Sequence, residues 1–236
     1  MKLTEIFQAL EAGELAAQTS LIDTVTGVKS ENYSKVISHI NIALANLYGR
    51  FNIKLGDSYI LMIPGVTEYF LDKRYAFSNL DEDSNVRYVL DSAASPYRNN
   101  AIKIVEAFTE IGEPLPINDR TEEKSIFTPT QLSVQIPWKN NGDVINVVYR
   151  AMPDEIRLDD YEDIGDIEVE LPRTYLEPLL YFVAYRHFAS VGGQSGTPTS
   201  LGYFQKYEGH CKLIELEGVE NKDNSASTDF QRGGWV

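Results

Sequence analysis

Residues 31–51 read ENYSKVISHINIALANLYGRF. Within this stretch Tyr33, Val36, Ile37, Ile40, Leu44, Leu47, Tyr48 and Phe51 recur at steps of three and four. That spacing places one apolar stripe along one side of an α-helix. Ser30 suits the N-cap, and Gly49 and Gly56 bracket the end. Upstream, Leu3, Ile6, Phe7, Leu10 and Leu15 predict a first helix over 3–18, weakened at Gly13. A polar, β-branched connection from Thr19 to Lys29 joins the two.

Downstream of Phe51 the period changes. Tyr59-Ile60-Leu61-Met62-Ile63 and Thr67-Glu68-Tyr69-Phe70-Leu71 flank Pro64-Gly65, which predicts a hairpin with a type II turn. Val86 to Leu90 reads as a short strand. Three further β-rich runs follow, at 101–108, 132–138 and 144–151. Asn141-Gly142 between the last two is a second hairpin signal. Pro153 to Glu170 reads as an acidic loop. A helix is predicted from about Thr174 to Val191, with Pro178 confined to its first turn. Its apolar residues cover more than half its circumference, so it is buried on several sides. Gly192 to Thr199 reads as a helix stop and loop, and a last helix runs from about Ser200 to Val219.

The order helix, helix, β unit, helix, helix requires the two helical ends to pair and bury their apolar sides. The expected fold class is α+β: a helical bundle formed by N- and C-terminal helices with an inserted antiparallel β domain. The expected boundaries are 1–55 for the first half of the bundle and 56–170 for the β domain with its acidic loop. The second half covers 171–222, and an extended C-terminal arm covers 223–236.

Composition narrows the function. The chain has 236 residues, 35 acidic and 21 basic, for a formal charge of −14. Tight nucleic-acid binding needs a basic footprint, which this balance opposes. One cysteine, Cys211, permits no internal disulfide. No signal peptide is readable, and no run approaches the roughly 18 apolar residues of a membrane span. The expected compartment is therefore a cytoplasm.

Chemical motifs are sparse. The carboxylates at Asp154, Glu155, Asp159, Asp160, Glu162, Asp163, Asp166, Glu168 and Glu170 invite a hard cation. An EF-hand loop begun at Asp160 has Gly165 at its sixth position, but Ile164 and Leu171 stand at its fifth and twelfth. A solvated acidic loop is the plainer reading. His210-Cys211 lacks the further ligands that zinc needs. His187, in the apolar helix, reads as a satisfied core or interface histidine. Gly193-Gln194-Ser195-Gly196-Thr197 does not spell Gly-x-Ser-x-Gly and follows a helix rather than a strand. Neither a Gly-x-x-x-x-Gly-Lys loop nor a Gly-x-Gly-x-x-Gly loop occurs. No catalytic residue, metal site or cofactor is expected. In the polar end of the chain, Phe230, Trp235 and Val236 are costly to leave in water and suit a docking arm.

Four stretches together resemble the head-to-tail adaptor family of tailed, short-tailed bacteriophages, the connector or tail tubular protein A-like proteins. They are Leu47-Tyr48-Gly49-Arg50-Phe51 closing its helix, and Ile102-Lys103-Ile104-Val105-Glu106 leading into Gly112-Glu113-Pro114-Leu115-Pro116-Ile117-Asn118-Asp119. The others are Ile145-Asn146-Val147-Val148-Tyr149-Arg150-Ala151-Met152-Pro153, and Leu171-Pro172 followed by Ala184-Tyr185-Arg186-His187-Phe188-Ala189. Their order and spacing carry the likeness, since none bears chemistry. Residues 72–100 and 120–131 look like additions to the simplest pattern.

The resemblance implies a structural virion protein in the neck or tail, assembled in the host cytoplasm. Identical copies, typically twelve, form a ring between the portal protein and the tail nozzle or another tail protein. DNA passes through the channel without sequence-specific binding, and no membrane is involved. Phe230, Trp235 and Val236 are the expected portal contacts. Phe182, Tyr185 and Phe188 are the expected subunit-interface residues. Asp159, Asp160, Glu162 and Asp163, or Asp81-Glu82-Asp83, are the expected channel-facing acids, repelling DNA by like charge. The competing readings are another neck, tail-completion or baseplate protein, a small hydrolase using acidic residues, and a monomeric binding module.

Overall fold

The computed structural model describes residues 1–23, 25, 27–79, 86–138, 143–191 and 193–218. The described residues are α+β, with four α-helices and antiparallel sheets. It divides into two compact units: residues 1–53 with 153–236, and residues 54–152.

The first unit holds all four helices: α1 (Leu3–Ala12), α2 (Tyr33–Arg50), α3 (Leu176–Val191) and α4 (Gly193–Leu216). α1 buries Leu3, Ile6, Phe7 and Leu10, the predicted stripe. It ends at Ala12, short of the predicted 18, because the chain turns at Gly13, whose N–H donates to the Ala9 carbonyl. The connection that follows contains a small antiparallel pair, β1 (Ile22–Asp23) with β2 (Gly27–Val28). Gly27 adopts φ +83 against the backbone of α1, and a Cβ there would lie 2.6 Å from the Phe7 carbonyl carbon. Only glycine meets both demands.

α2 buries Val36, Ile37, Ile40, Ala43, Leu44, Leu47 and Tyr48, as its period predicts. α3 packs on α2 and α4 and touches α1. The acidic segment belongs to this unit and not to the β unit, where the sequence reading put it. Its apolar residues decide the matter. Ile167, Val169 and Leu171 are buried. The Leu3 N–H donates to Ile167 (3.0 Å), and the Val169 N–H donates to Met1 (2.7 Å). Asn41 of α2 bonds both backbone groups of Ile156, at 2.9 and 3.1 Å.

The second unit carries a four-stranded antiparallel sheet in the order β5-β3-β8-β6. Its strands are β3 (Leu55–Leu61), β5 (Val89–Leu90), β6 (Ala101–Thr109) and β8 (Val144–Ala151). A two-stranded sheet pairs β4 (Glu68–Phe70) with β7 (Ser133–Gln135). Ile145, Val147, Tyr149 and Ala151 of β8 point inward in alternation, into a core with Ile60, Tyr69, Ile104, Ile126 and Val134.

Both predicted hairpins need correction. Pro64-Gly65 does form a turn, with Gly65 at φ +81 and the Val66 N–H donating to Ile63 at 3.1 Å. The strands on either side of it nevertheless enter different sheets: β3 pairs with β5 and β8, and β4 pairs with β7. β7 likewise does not pair with β8 among the described residues, and Asn141-Gly142 lies outside them. Local turn chemistry reports a reversal, whereas ladder partners are chosen by which faces are apolar.

Tyr69 ties the first turn together. Its hydroxyl accepts from the Ile63 N–H at 3.0 Å and donates to the Val66 carbonyl at 3.0 Å. Tyr69→Phe should therefore cost about 1–2 kcal/mol in denaturant unfolding, because it strands a backbone N–H. Gly27→Ala should cost about 2 kcal/mol or more, combining left-handed strain with a clash against α1.

Candidate assembly surface on the helical unit

α3 and α4 run antiparallel, and an aromatic ladder joins them. Tyr181 meets His210 at 5.4 Å between ring centroids, Phe182 meets Tyr207 at 5.0 Å, Tyr185 meets Phe204 at 5.1 Å and Phe188 stacks on Tyr203 at 5.5 Å. Such pairs add directional attraction to the area they bury. Lys206 places its ammonium 5.5 Å from the Tyr181 ring and 5.0 Å from the Tyr203 ring. His210 lies 2.9 Å from a Glu177 carboxylate oxygen, which closes the ladder at that end.

The first turns of α4 correct the loop predicted for 192–199. The helix begins at Gly193 and carries Pro198 inside it. The close approach explains this: a Cβ on Gly196 would sit 3.1 Å from the Phe188 carbonyl oxygen. A larger residue would push the two helices apart, so packing overrides a poor helix-forming sequence.

Arg50, the last residue of α2, clamps the far end of α4. Its Nε donates to Glu215 at 2.7 Å and its Nη1 to Glu208 at 3.0 Å. Partial burial opposes its charge, but the two carboxylates prevail and hold the guanidinium further above its ordinary range. Arg50 holds Glu215 below the usual carboxylate range.

α4 turns Tyr207, Cys211 and Ile214 inward. Its opposite side carries Leu201, Leu213 and Leu216, which are 55%, 51% and 83% exposed, with Gly202, Gly209 and the exposed Gln205 and Lys212 among them. Phe204 is also exposed, at the edge of this face. No described residue covers these side chains.

The predicted site residues fall as follows. Phe182 is buried within its own unit against Tyr185 and Tyr207, whereas Tyr185 and Phe188 are half-buried. Asp159, Asp160, Glu162 and Asp163 are all exposed. Asp163 also caps a short turn by accepting the Gly165 N–H at 2.9 Å. No group of three or more acidic, histidine or cysteine side chains that could hold a metal ion occurs among the described residues. Phe230, Trp235, Val236 and Asp81-Glu82-Asp83 lie outside the described residues. No described helix is long and apolar enough to cross a membrane.

The β unit has a polar groove of about 410 Å³, bordered by Asp57, Tyr59, Asp91, Tyr97, Arg98 and Tyr149. Asp91 is occupied there. It accepts the Ser78 N–H at 2.7 Å and the Tyr97 N–H at 2.8 Å, and its carboxyl lies below the usual range, burial being outweighed by these bonds and the Ser78 hydroxyl. It staples its loop.

The sequence reading missed Arg50 as a clamp, although an arginine in a last helical turn is a favourable cation there. Helical angle alone separates Leu201, Leu213 and Leu216 from Tyr207, Cys211 and Ile214, a signal present in the sequence. Arg50→Met should free the end of α4, with amide exchange across 208–216 rising roughly tenfold. Arg50→Lys should restore little, since an ammonium cannot reproduce the fork that spans two carboxylates.

No protein-family model matches the chain. Over 59 residues, 24% of the chain, it is 34% identical to glutamine synthetase cytosolic isozyme 1 of Glycine max. Over 60 residues it is 37% identical to glutamine synthetase of Alnus glutinosa. Each match spans 17% of the relative's length, and matches of that extent assign no family.

Proposed function

We propose that the chain is a structural ring subunit, a head-to-tail adaptor joining the portal to the tail of a short-tailed phage. The observation that carries the reading is the outward face of α4, where Leu201, Leu213 and Leu216 stand exposed on a helix already fixed by the aromatic ladder. A rigid helix with an exposed apolar side is suited to packing against a copy of itself, and a heterologous contact of that kind closes into a ring when its rotation permits.

On this reading the four helices form a bundle that packs side by side around the ring, typically of twelve copies, and carries the β unit as an insertion. The exposed acids at Asp159, Asp160, Glu162 and Asp163 line the channel and keep DNA from adhering. The arm over 223–236, with Phe230, Trp235 and Val236, docks on the portal. The four stretches that resemble adaptor proteins support the assignment, and the chain would work by assembly rather than by turnover.

The test is assembly on purified portal, viewed by negative-stain microscopy. The wild-type chain should add a ring. Leu213→Glu with Leu216→Glu should leave the melting temperature of the free chain within a few degrees and reduce ring formation at least roughly tenfold, because it places carboxylates in an apolar contact. Deleting 223–236 should weaken portal binding. A chain that neither binds portal nor self-associates on it refutes the reading.

A further inference from the structure

His39 on α2 and His187 on α3 are only 9% and 5% exposed. Among the described residues, neither ring nitrogen of either residue has a hydrogen-bond partner. The Arg186 Nε, beside His187 in sequence, is buried and unpartnered as well. Buried polar groups are nearly always hydrogen-bonded, and each one left bare has a desolvation cost. Here several bare nitrogens sit on two packed helices. The charges acting on His39 come from Arg186, Lys35 and His187, and the charge acting on His187 comes from Lys35. Lys35 is on α2 and Arg186 on α3, and no carboxylate of α1 or α4 is among the groups that act on either ring.

We propose that His39 and His187 form an acid-sensitive latch between α2 and α3: the neutral rings complete the packing of the two helices, and protonation parts them. The reason is electrostatic. A charged imidazole buried among like charges lacks both water and a counter-ion, so the unit gains more by opening than by holding it. Burial first, then Arg186, Lys35 and His187, pushes His39 down to about 4. Burial, then Lys35, lowers His187. In the unfolded chain each ring takes its proton near the ordinary 6.5. Between pH 6.5 and 4 the unfolded state therefore binds more protons, and the stability of the packed unit falls as pH falls through that window. Above pH 6.5 the latch is closed and contributes its full stability. Because the two rings interact, the first proton makes the second harder to accept while the helices stay packed. The latch concerns the helical unit alone and does not depend on the adaptor reading.

The chain has three histidines, so their ring C–H signals can be followed individually in a pH titration by NMR. The expected result is that His39 stays neutral down to about pH 4 in the folded chain, with His187 also below its ordinary value, and that α2–α3 amides lose protection as these two rings take up protons. Titration of both rings near pH 6.5 with the fold intact would overturn the proposal. A second measurement compares unfolding at pH 7 and pH 4 in wild type and in His39→Phe with His187→Leu. His39 alone should raise the wild-type unfolding constant roughly a hundredfold over that range, and the variant should lack this increment. If the double variant does not fold, single His39→Gln should still lose most of it. An unchanged pH dependence in a folded variant contradicts the latch.

Discussion

α3 carries apolar side chains around more than half its circumference, and a helix of that kind is stable only when other elements cover it on several sides. The rest of the helical unit answers this demand. α2 and α1 come from the beginning of the chain, and α4 comes from just beyond α3. Helices from the first and last thirds of the sequence therefore meet around one helix, and residues 54–152 form a separate unit. The acidic segment follows the same constraint, because Ile167, Val169 and Leu171 anchor it to the helical unit while its carboxylates remain in water.

The two faces of α4 divide its work. The inward face is fixed by ring contacts with α3 and by Arg50 of α2. The outward face keeps Leu201, Leu213 and Leu216 exposed. An apolar face held rigid has already lost the conformational freedom that binding would otherwise take from it. That is the physical link between the helical packing and the proposed assembly.

Much of this was legible in the sequence, and the failures have physical causes. The period of α2 marked its buried residues because one stripe of a surface helix is a local pattern. Pro64-Gly65 signalled its turn, but the pairing of β3 with β8 rather than with β4 depends on residues far away in the chain. The start of α4 was hidden by Gly192, Gly193, Gly196 and Pro198, which locally oppose a helix; the close approach of Gly196 to Phe188 is a tertiary fact. His187 reads in the sequence as a satisfied core or interface histidine. It is buried, and neither of its ring nitrogens has a hydrogen-bond partner among the described residues; His39 acts with it only because α2 packs on α3.

The proposed assembly requires the outward face of α4 to be covered by another copy of the chain. A cryo-electron microscopy reconstruction of the protein bound to portal tests it most directly. The account predicts Leu201, Leu213 and Leu216 buried against a neighbouring copy around a closed ring. The same three side chains facing solvent in an assembled ring would contradict it.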